Sequence, residues 1–572
     1  MRGSHYALAK LAEIVETDDS TFPQLLPVFC QNIRTLDTPS MDTDATVRHH
    51  SLVIAKECFR PIQASLSKKH RHAKAIVDQI AAVVPHICRW IIYFYWSYSL
   101  NATTKAVLTS EIVDLRDQFK DTLVALVDIL SVTFASVMRA SPGFIKCMTR
   151  VWIHFDSTIE SATAASCWDV VDVLAYDRSD ESNKIHSEFV DVLKESADVV
   201  AYNCMRRIIL DLQLPPAHAI TLRDHISIIA QCSTCSDTLR RSFLRAKSVR
   251  WCCRLMSHLA SRRKPEDIIE HFPTMACVSV CCQVLAESFQ DGYSWVAEAM
   301  DHHLLESILK CQPLLDSNVD VNKKNDREAI LQSTLTELFD LVNSYLIYRP
   351  VLRSARRSIR PILETSLEDD FDHDGPLRDA WDRLKDVHDL RWETREDLAA
   401  QEVTKCTNPE CTTPERALRQ CSGCSNAYFC DPVCQRIAWR NGHKESCHEQ
   451  QDERRAGYAK RITDRDISFF YAVAEYDIRV DNSIIGKLQT DFLKQYKTSS
   501  SLLHSLVICF DYVSVPHTIK ISTADKFIDQ CESRAHWKRL VDDSKARKGY
   551  LVFIRVPSGR SPFTSFTVVG VR

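Results

Sequence analysis

Apolar residues in the first 400 positions recur at steps of three and four. One stripe runs Ile185, Phe189, Leu193, Ala197, Val200, Cys204 and Ile208, which lines a single face of a helix of 3.6 residues per turn. Comparable stripes predict helices over about 5–17, 23–35, 47–66, 71–98, 105–139, 181–212, 220–231, 238–260, 266–288, 294–312, 327–347 and 377–400. Asp37-Thr-Pro-Ser, Ser141-Pro-Gly, Pro215-Pro216 and Lys264-Pro punctuate them, each a poor helix interior. The acidic run Glu368 to Gly375 reads as a loop. After His448 the pattern changes. Helices are predicted at about 466–478 and 483–496, strands at Leu506–Val513, Thr518–Ile521, Tyr550–Val556 and Phe566–Val571, and a helix over Thr523–Lys545. Their Val, Ile, Phe and Tyr content is that of strands.

Glycine usage strengthens the helical reading. From Ser4 to Asp374 there are only Gly143 and Gly292, where average usage would give about 25. Glycine supplies the positive φ of hairpins and phosphate loops, so this stretch is expected to be all helical and holds no dinucleotide or P-loop motif. The expected fold class is mainly α. The expected domains are an irregular α-solenoid of armadillo or HEAT character over 1–400, a compact cysteine-rich module over 401–450 and a small α+β domain over 451–572. A single large helical bundle is the rival arrangement for 1–400.

Bulk composition adds less. The chain has 572 residues, 45% hydrophobic and 26% charged, with a formal charge of −3. Such a balance is globular and gives no general attraction to nucleic acid or anionic membrane. The opening Met-Arg-Gly-Ser-His is read as native, and Glu13, Glu16 and Asp18 interrupt any signal-type apolar core. The most apolar stretch, Ala75 to Leu100, carries Asp78, Pro85, His86 and Arg89, so it reads as a buried helix pair rather than a membrane span. The 23 cysteines carry metal-type spacing and predict a reducing compartment, cytoplasm or nucleus. Lys68-Lys69-His70-Arg71 reads as a solvated helix end before it reads as a nuclear-import signal.

Between Cys406 and Cys447 the spacings are C-x4-C, C-x2-C, C-x3-C and H-x3-C. The eight donors Cys406, Cys411, Cys421, Cys424, Cys430, Cys434, His443 and Cys447 equal what two tetrahedral zinc ions need. So short a segment buries too little apolar surface to offset its ordering entropy, and structural zinc supplies the difference. Asp431 suits a helix N-cap, Pro432 the first helical position and Gly442 a C-terminal turn, which predicts a helix over about Pro432–Asn441. Full shells leave no open metal position, the mark of a structural site. Lys405–Cys447 holds six Lys and Arg against four Asp and Glu. With seven thiolates and two divalent ions it is near neutral, so zinc here does not imply DNA. Spacing alone allows consecutive or interleaved ligation.

The run Phe429-Cys430-x3-Cys434-Gln435-x3-Trp439-x3-His443-x3-Cys447 resembles a MYND-type zinc finger, over about 42 of the 572 residues. The wide first C-x4-C pair and Phe429 in place of Tyr depart from the family pattern without removing a ligand. The resemblance implies interleaved sites, with Cys406, Cys411, Cys430 and Cys434 on one ion and Cys421, Cys424, His443 and Cys447 on the other. It also implies docking of short proline-containing peptides beside a strand, with Gln435 and Trp439 at the contact positions. Packing against the zinc core is the competing role for Trp439, and a plain helix surface that for Gln435. A lone finger between a helical region and a small C-terminal domain resembles a group of fungal MYND proteins.

Other constellations read first as structure. Cys232, Cys235, Cys252, Cys253, Cys277, Cys281 and Cys282 lie on apolar helix faces, where free cysteine behaves as a small hydrophobe. His504, Cys509, Asp511 and His517 fall on or beside a core strand. Arg353, Arg356, Arg357 and Arg360 form a solvated helix face that can also meet an acidic partner. The expected function is a zinc-binding adaptor or scaffold that docks peptides, with transcriptional regulation as one setting. The alternative is a SET-type lysine methyltransferase. It is disfavoured because the chain after His448 lacks an Asn-His pair and has only Cys509 and Cys531. The expected partners are proteins, not nucleic acid or membrane, and no enzyme activity is expected.

Overall fold

The computed structural model describes residues 2–40, 43–66, 74–96, 133–156, 187–213, 219–261, 268–315, 326–370, 375–401, 406–412, 418–495, 506–531 and 533–570. Lys68–Arg71, His504, Pro215-Pro216, Lys264-Pro and most of the helix expected over 105–139 lie outside them. Contacts divide the chain into two compact units, Met1–Asn203 and Cys204–Arg572. The region expected as one solenoid over 1–400 is thus shared between two units. The segments 401–450 and 451–572 fall in the same unit as the helices from residue 204 onward.

The first unit is helical through its described part: α1 (Arg2–Thr17), α2 (Phe22–Thr35), α3 (Ala45–Leu66), α4 (Lys74–Ala81), α5 (Val84–Phe94), α6 (Thr133–Ala140), α7 (Phe144–Asp156) and α8 (Ser187–Glu195). Helix α2 turns Phe22, Leu26, Phe29 and Ile33 inward with no exposed surface, at the spacing of one helical face. Helices α1 and α2 pack on α3. Across that contact Arg60 forks onto Glu16 at 3.0 and 2.7 Å. The apolar stretch from Ala75 forms the expected helix pair, α4 and α5, bent by 50°. Ile80, Ile87, Trp90 and Phe94 of the pair are fully buried.

The unit boundary falls inside α9 (Ala197–Gln213). The second unit continues with α10 (Ala219–Cys235), α11 (Asp237–Arg245), α12 (Ser248–Ser261), α13 (Ile268–Phe289), α14 (Tyr293–Asp301), α15 (Leu304–Leu309), α16 (Asp326–Ser344), α17 (Arg349–Glu364) and α18 (Pro376–Gln401). Helix α13 packs on α10 and α16, α16 on α18, and α14 on α17. His271–Phe289 of α13 is long and apolar enough to cross a membrane by length and composition, and half of it is buried among these neighbours. The single helices expected over 238–260 and 294–312 are each two. They break at Lys247 (φ 68°) and His303 (φ 63°), left-handed positions that no glycine marks. Phe144–Asp156 and Arg349–Glu364 are helices beyond those that the stripes predict.

The cysteine-rich segment contributes β1 (Arg419–Gln420), β2 (Tyr428–Phe429), α19 (Pro432–Ala438) and α20 (Lys444–Arg455). Then come α21 (Asp464–Val480), α22 (Asn482–Gln495), β3 (Leu506–Asp511), β4 (Thr518–Thr523), α23 (Arg534–Ala546), β5 (Tyr550–Val556) and β6 (Phe563–Val569). The expected helix over Thr523–Lys545 is a 3-10 stretch at Ala524–Gln530 followed by α23. Ser533 starts the latter by accepting from the His536 N–H at 3.1 Å. The sheet order is β4-β3-β5-β6, with β3 and β5 parallel and both outer pairs antiparallel. Being central, β3 and β5 read as nearly unbroken apolar runs. One face meets Phe527 and Trp537, around Val507 and Leu551. On the other, Ile508, Phe510, Val552 and Ile554 are buried, and α21 packs against β5.

Polar contacts fasten this α+β part to the helices before it. Asp477 of α21 accepts from both terminal nitrogens of Arg391 on α18, at 2.8 and 3.0 Å, and from the Tyr512 hydroxyl at 2.8 Å. All three residues are buried. Tyr348 stacks on Tyr293 at 4.5 Å and donates to the Pro557 carbonyl at 2.6 Å. Gly457, just past α20, has φ +84°, and a Cβ there would sit 2.5 Å from the Arg241 carbonyl. Glycine is what lets the chain leaving α20 touch α11.

Candidate metal centre

Short β1 and β2 pair antiparallel, Arg419 opposite Phe429 and Gln420 opposite Tyr428. They place Cys421 and Cys424 at one end and Cys430 at the other. The Asp431 side chain caps α19 by accepting from the Val433 and Cys434 N–H groups, both at 2.8 Å. Pro432 fills the first helical position, where a missing N–H is harmless. Cys434 is thereby held in the first turn beside Cys430. The helix expected to reach Asn441 keeps regular geometry to Ala438. Asn441 and Gly442 are non-helical, with Gly442 at φ +104°. That turn swings the chain so that His443 and Cys447, one turn apart, face Cys421 and Cys424.

Two donor groups result. Cys406, Cys411, Cys430 and Cys434 form one, and Cys421, Cys424, His443 and Cys447 the other, with all donor atoms of a group within 4.8 Å of one another. The donor groups interleave along the chain, the arrangement that the family resemblance implies and that spacing left open. In the first group Cys430 Sγ lies 3.1 Å from Cys411 Sγ and 3.8 Å from Cys434 Sγ. In the second, His443 Nε2 is 3.5 Å from Cys421 Sγ and 3.9 Å from Cys424 Sγ, and Cys421 Sγ is 3.9 Å from Cys447 Sγ. A zinc–sulfur bond of about 2.3 Å implies a tetrahedral edge of roughly 3.8 Å, so the donors fit zinc in both number and separation.

Electrostatics points the same way. The Cys411 thiol, burial, and the thiols of Cys406 and Cys434 together push Cys430 up to about 12. Four such neighbours do not ionise together without a cation, and a divalent ion reverses that penalty. In the other group burial raises Cys421, but the His443 ring and the Cys424 and Gly423 N–H groups outweigh it and bring it to about 6. Outer contacts support the sulfurs: Asn408 Nδ2 to Cys434 at 3.5 Å, the Asn426 N–H to Cys424 at 3.4 Å and Gln451 Nε2 to Cys447 at 3.3 Å. Sequence reading named none of these three. Gln451, one helical turn after Cys447, was the one with a positional signal.

Gln435 and Trp439 are both half-buried. Trp439 packs on the module's core and meets His443 and His448 edge-on, at 5.7 and 5.6 Å. Of the other cysteine and histidine constellations, none forms a further donor group among the described residues. Cys232, Cys252, Cys253, Cys277, Cys281 and Cys282 are buried and fall in neither donor group. Cys235 is half-buried and likewise outside both. Cys509 is pushed up to about 12 by burial. Asp511 accepts from Arg555 at 2.6 Å, and His517 lies 3.9 Å from Asp477.

A family model of the MYND finger matches residues 405–447. Comparison with curated proteins and with solved structures finds no significant match to the chain. The matched span coincides with the two donor groups. This protein therefore carries a MYND finger, a zinc-binding protein-interaction module whose two clusters, one of four cysteines and one of three cysteines and a histidine, could hold two zinc ions.

Proposed function

We propose that this protein is an adaptor or scaffold, using its finger to dock short peptide motifs, proline-containing ones first. The observation that carries this reading is the pair Gln435 and Trp439. They stand one turn apart, on α19 and just past its end, half-exposed, and neither is a metal donor. The strand edge favours it too. Tyr428 on β2 is bonded on its far side to Thr407, at 2.7 and 2.9 Å. Among the described residues no backbone bond reaches the outer edge of β1, which an extended peptide can extend.

A binding role rather than catalysis is supported by four donors in each group, which fill a tetrahedral shell. Protein partners are favoured over nucleic acid or membrane by the near-neutral finger. The donor thiols fit a reducing compartment, cytoplasm or nucleus, and recruitment in transcriptional regulation is one setting compatible with it. The test is a screen of proline-containing peptides against the zinc-loaded full chain and its Trp439→Ala variant. Binding that is lost in the variant while two zinc ions per chain remain supports the reading, and no binding by the parent chain overturns it. A thermal shift with S-adenosylmethionine would instead revive the methyltransferase alternative.

A further inference from the structure

Helix α17 carries five arginines, and folding treats them differently. Arg357 is neutralised by Asp301 at 2.7 Å and Arg360 by Glu364 at 2.7 Å. Arg353 and Arg356 are exposed, and neither has an ion pair among the described residues. Arg356 lies over the Trp392 ring at 4.0 Å, and Arg395 lies over the same ring at 4.4 Å. Arg395 Nε is buried without an acceptor. The neighbouring carboxylate of Glu396 is engaged by Trp392 Nε1 at 2.6 Å. Past the finger, Lys460 lines a polar cleft with Arg454, Glu453 and the finger residues Cys424, Ser425 and Asn426.

These cations sense one another. Burial and the charges of Arg349 and Arg353 hold Arg395 below the usual arginine range. Partial burial and the charges of Arg454 and Arg353 lower Lys460. Arg353 is common to both sets, one turn from Arg356 on the same helix, and its charge reaches both Arg395 and Lys460. Like charges gathered together destabilise the folded chain, and the nearby carboxylates of Glu396 and Asp301 offset this only in part, since Arg395 and Lys460 both stay lowered. Asp466 also stands near Arg349 and Arg353. Stacking on Trp392 occupies the guanidinium faces and fixes their direction. It leaves the N–H edges, which suit bidentate carboxylates.

We propose that Arg353, Arg356, Arg395 and Lys460 form a docking surface for an acidic peptide segment of a partner protein. None of the four is a metal donor, and none is Gln435 or Trp439; the cleft that Lys460 lines also touches the donor Cys424. A partner carrying an acidic stretch beside a finger-docked motif would engage both, and the linkage would raise its apparent affinity.

The test uses the full zinc-loaded chain and a fluorescent peptide of alternating Glu and Asp. An equal-length Gln and Asn peptide and a single-stranded RNA of matched charge serve as comparisons. The acidic peptide should bind, weaken as salt rises, and lose about tenfold or more in affinity with Arg353→Glu. Lys460→Gln should weaken binding by a smaller factor while zinc content and Trp439-dependent peptide binding stay unchanged. Failure of the acidic peptide to bind at low salt overturns the proposal. Equal binding by the neutral peptide, indifference to both variants in folded protein, or tighter binding of the RNA does the same.

Discussion

The finger and the C-terminal sheet are both small, and they are held together by different means. In the sheet, Ile508, Phe510, Val552 and Ile554 are almost wholly buried, and Trp537 closes the other face. In the finger the large buried apolar side chain is Phe429, and its other core members are Cys421, Cys424, Ala427, Ala438 and Cys447. Burial at about 25 cal/mol per Å² is ample for the first and meagre for the second. Metal ligation replaces apolar burial there. A finger fixed by internal bonds to metal need not commit its outer residues to packing, which is what the docking proposed at Gln435 and the edge of β1 requires.

The strongest way to break this contrast is to remove zinc. Chelation forfeits about 10–16 kcal/mol of apparent binding, so the finger should unfold while the helices and sheet persist. Zinc counting alongside far-UV circular dichroism reads both. Cys434→Ala and Cys424→Ala should each disturb one group and not the other, and loss of both ions from either variant would show the two sites to be one cooperative unit. Zinc should also be released as pH falls, because protons compete for the thiolates.

Next in size is Asp477→Ala, which leaves Arg391 buried and uncompensated. It should cost about 3–5 kcal/mol in denaturant unfolding with zinc retained. Replacing Arg391 and Asp477 together by Met and Leu should cost much less, because the unpaired charge is then absent. Gly457→Ala should cost about 1–3 kcal/mol, through strain at positive φ and the close Arg241 carbonyl, and it tests how the exit from the finger is fastened. The smallest effect is Asp431→Ala, at about 1 kcal/mol from the lost cap on α19. It should lower the thermal midpoint of the finger while both ions stay bound.

Much of the fold was legible because its signals are local. The four strands of the C-terminal sheet follow from runs of Val, Ile, Phe and Tyr, and the cap and first turn of α19 from Asp431 and Pro432, whereas α19 ends at Ala438, short of the turn at Gly442. Helix α17 read only as a basic face because its arginines dilute an apolar stripe formed by Val351, Leu352, Ala355, Ile359 and Ile362, all of which are buried. The breaks at Lys247 and His303 escaped because residues other than glycine adopt the left-handed turn, held there by packing on both sides. Phe144–Asp156 follows Gly143, which was read as punctuation without a helix after it.

By itself the sequence determined that the chain is mainly helical, that a sheet follows the finger, and that eight named donors can serve two zinc ions. Ligand type and short spacing are local properties, so they survive without knowledge of the fold. Only the tertiary structure decided that the two donor groups interleave, which spacing alone left open, that Arg391 finds Asp477, and that Arg356 and Arg395 share the Trp392 ring while Arg357 pairs with Asp301. Each of those joins residues far apart in the chain, where electrostatics and packing depend on which helix faces which and no pattern of spacing records it.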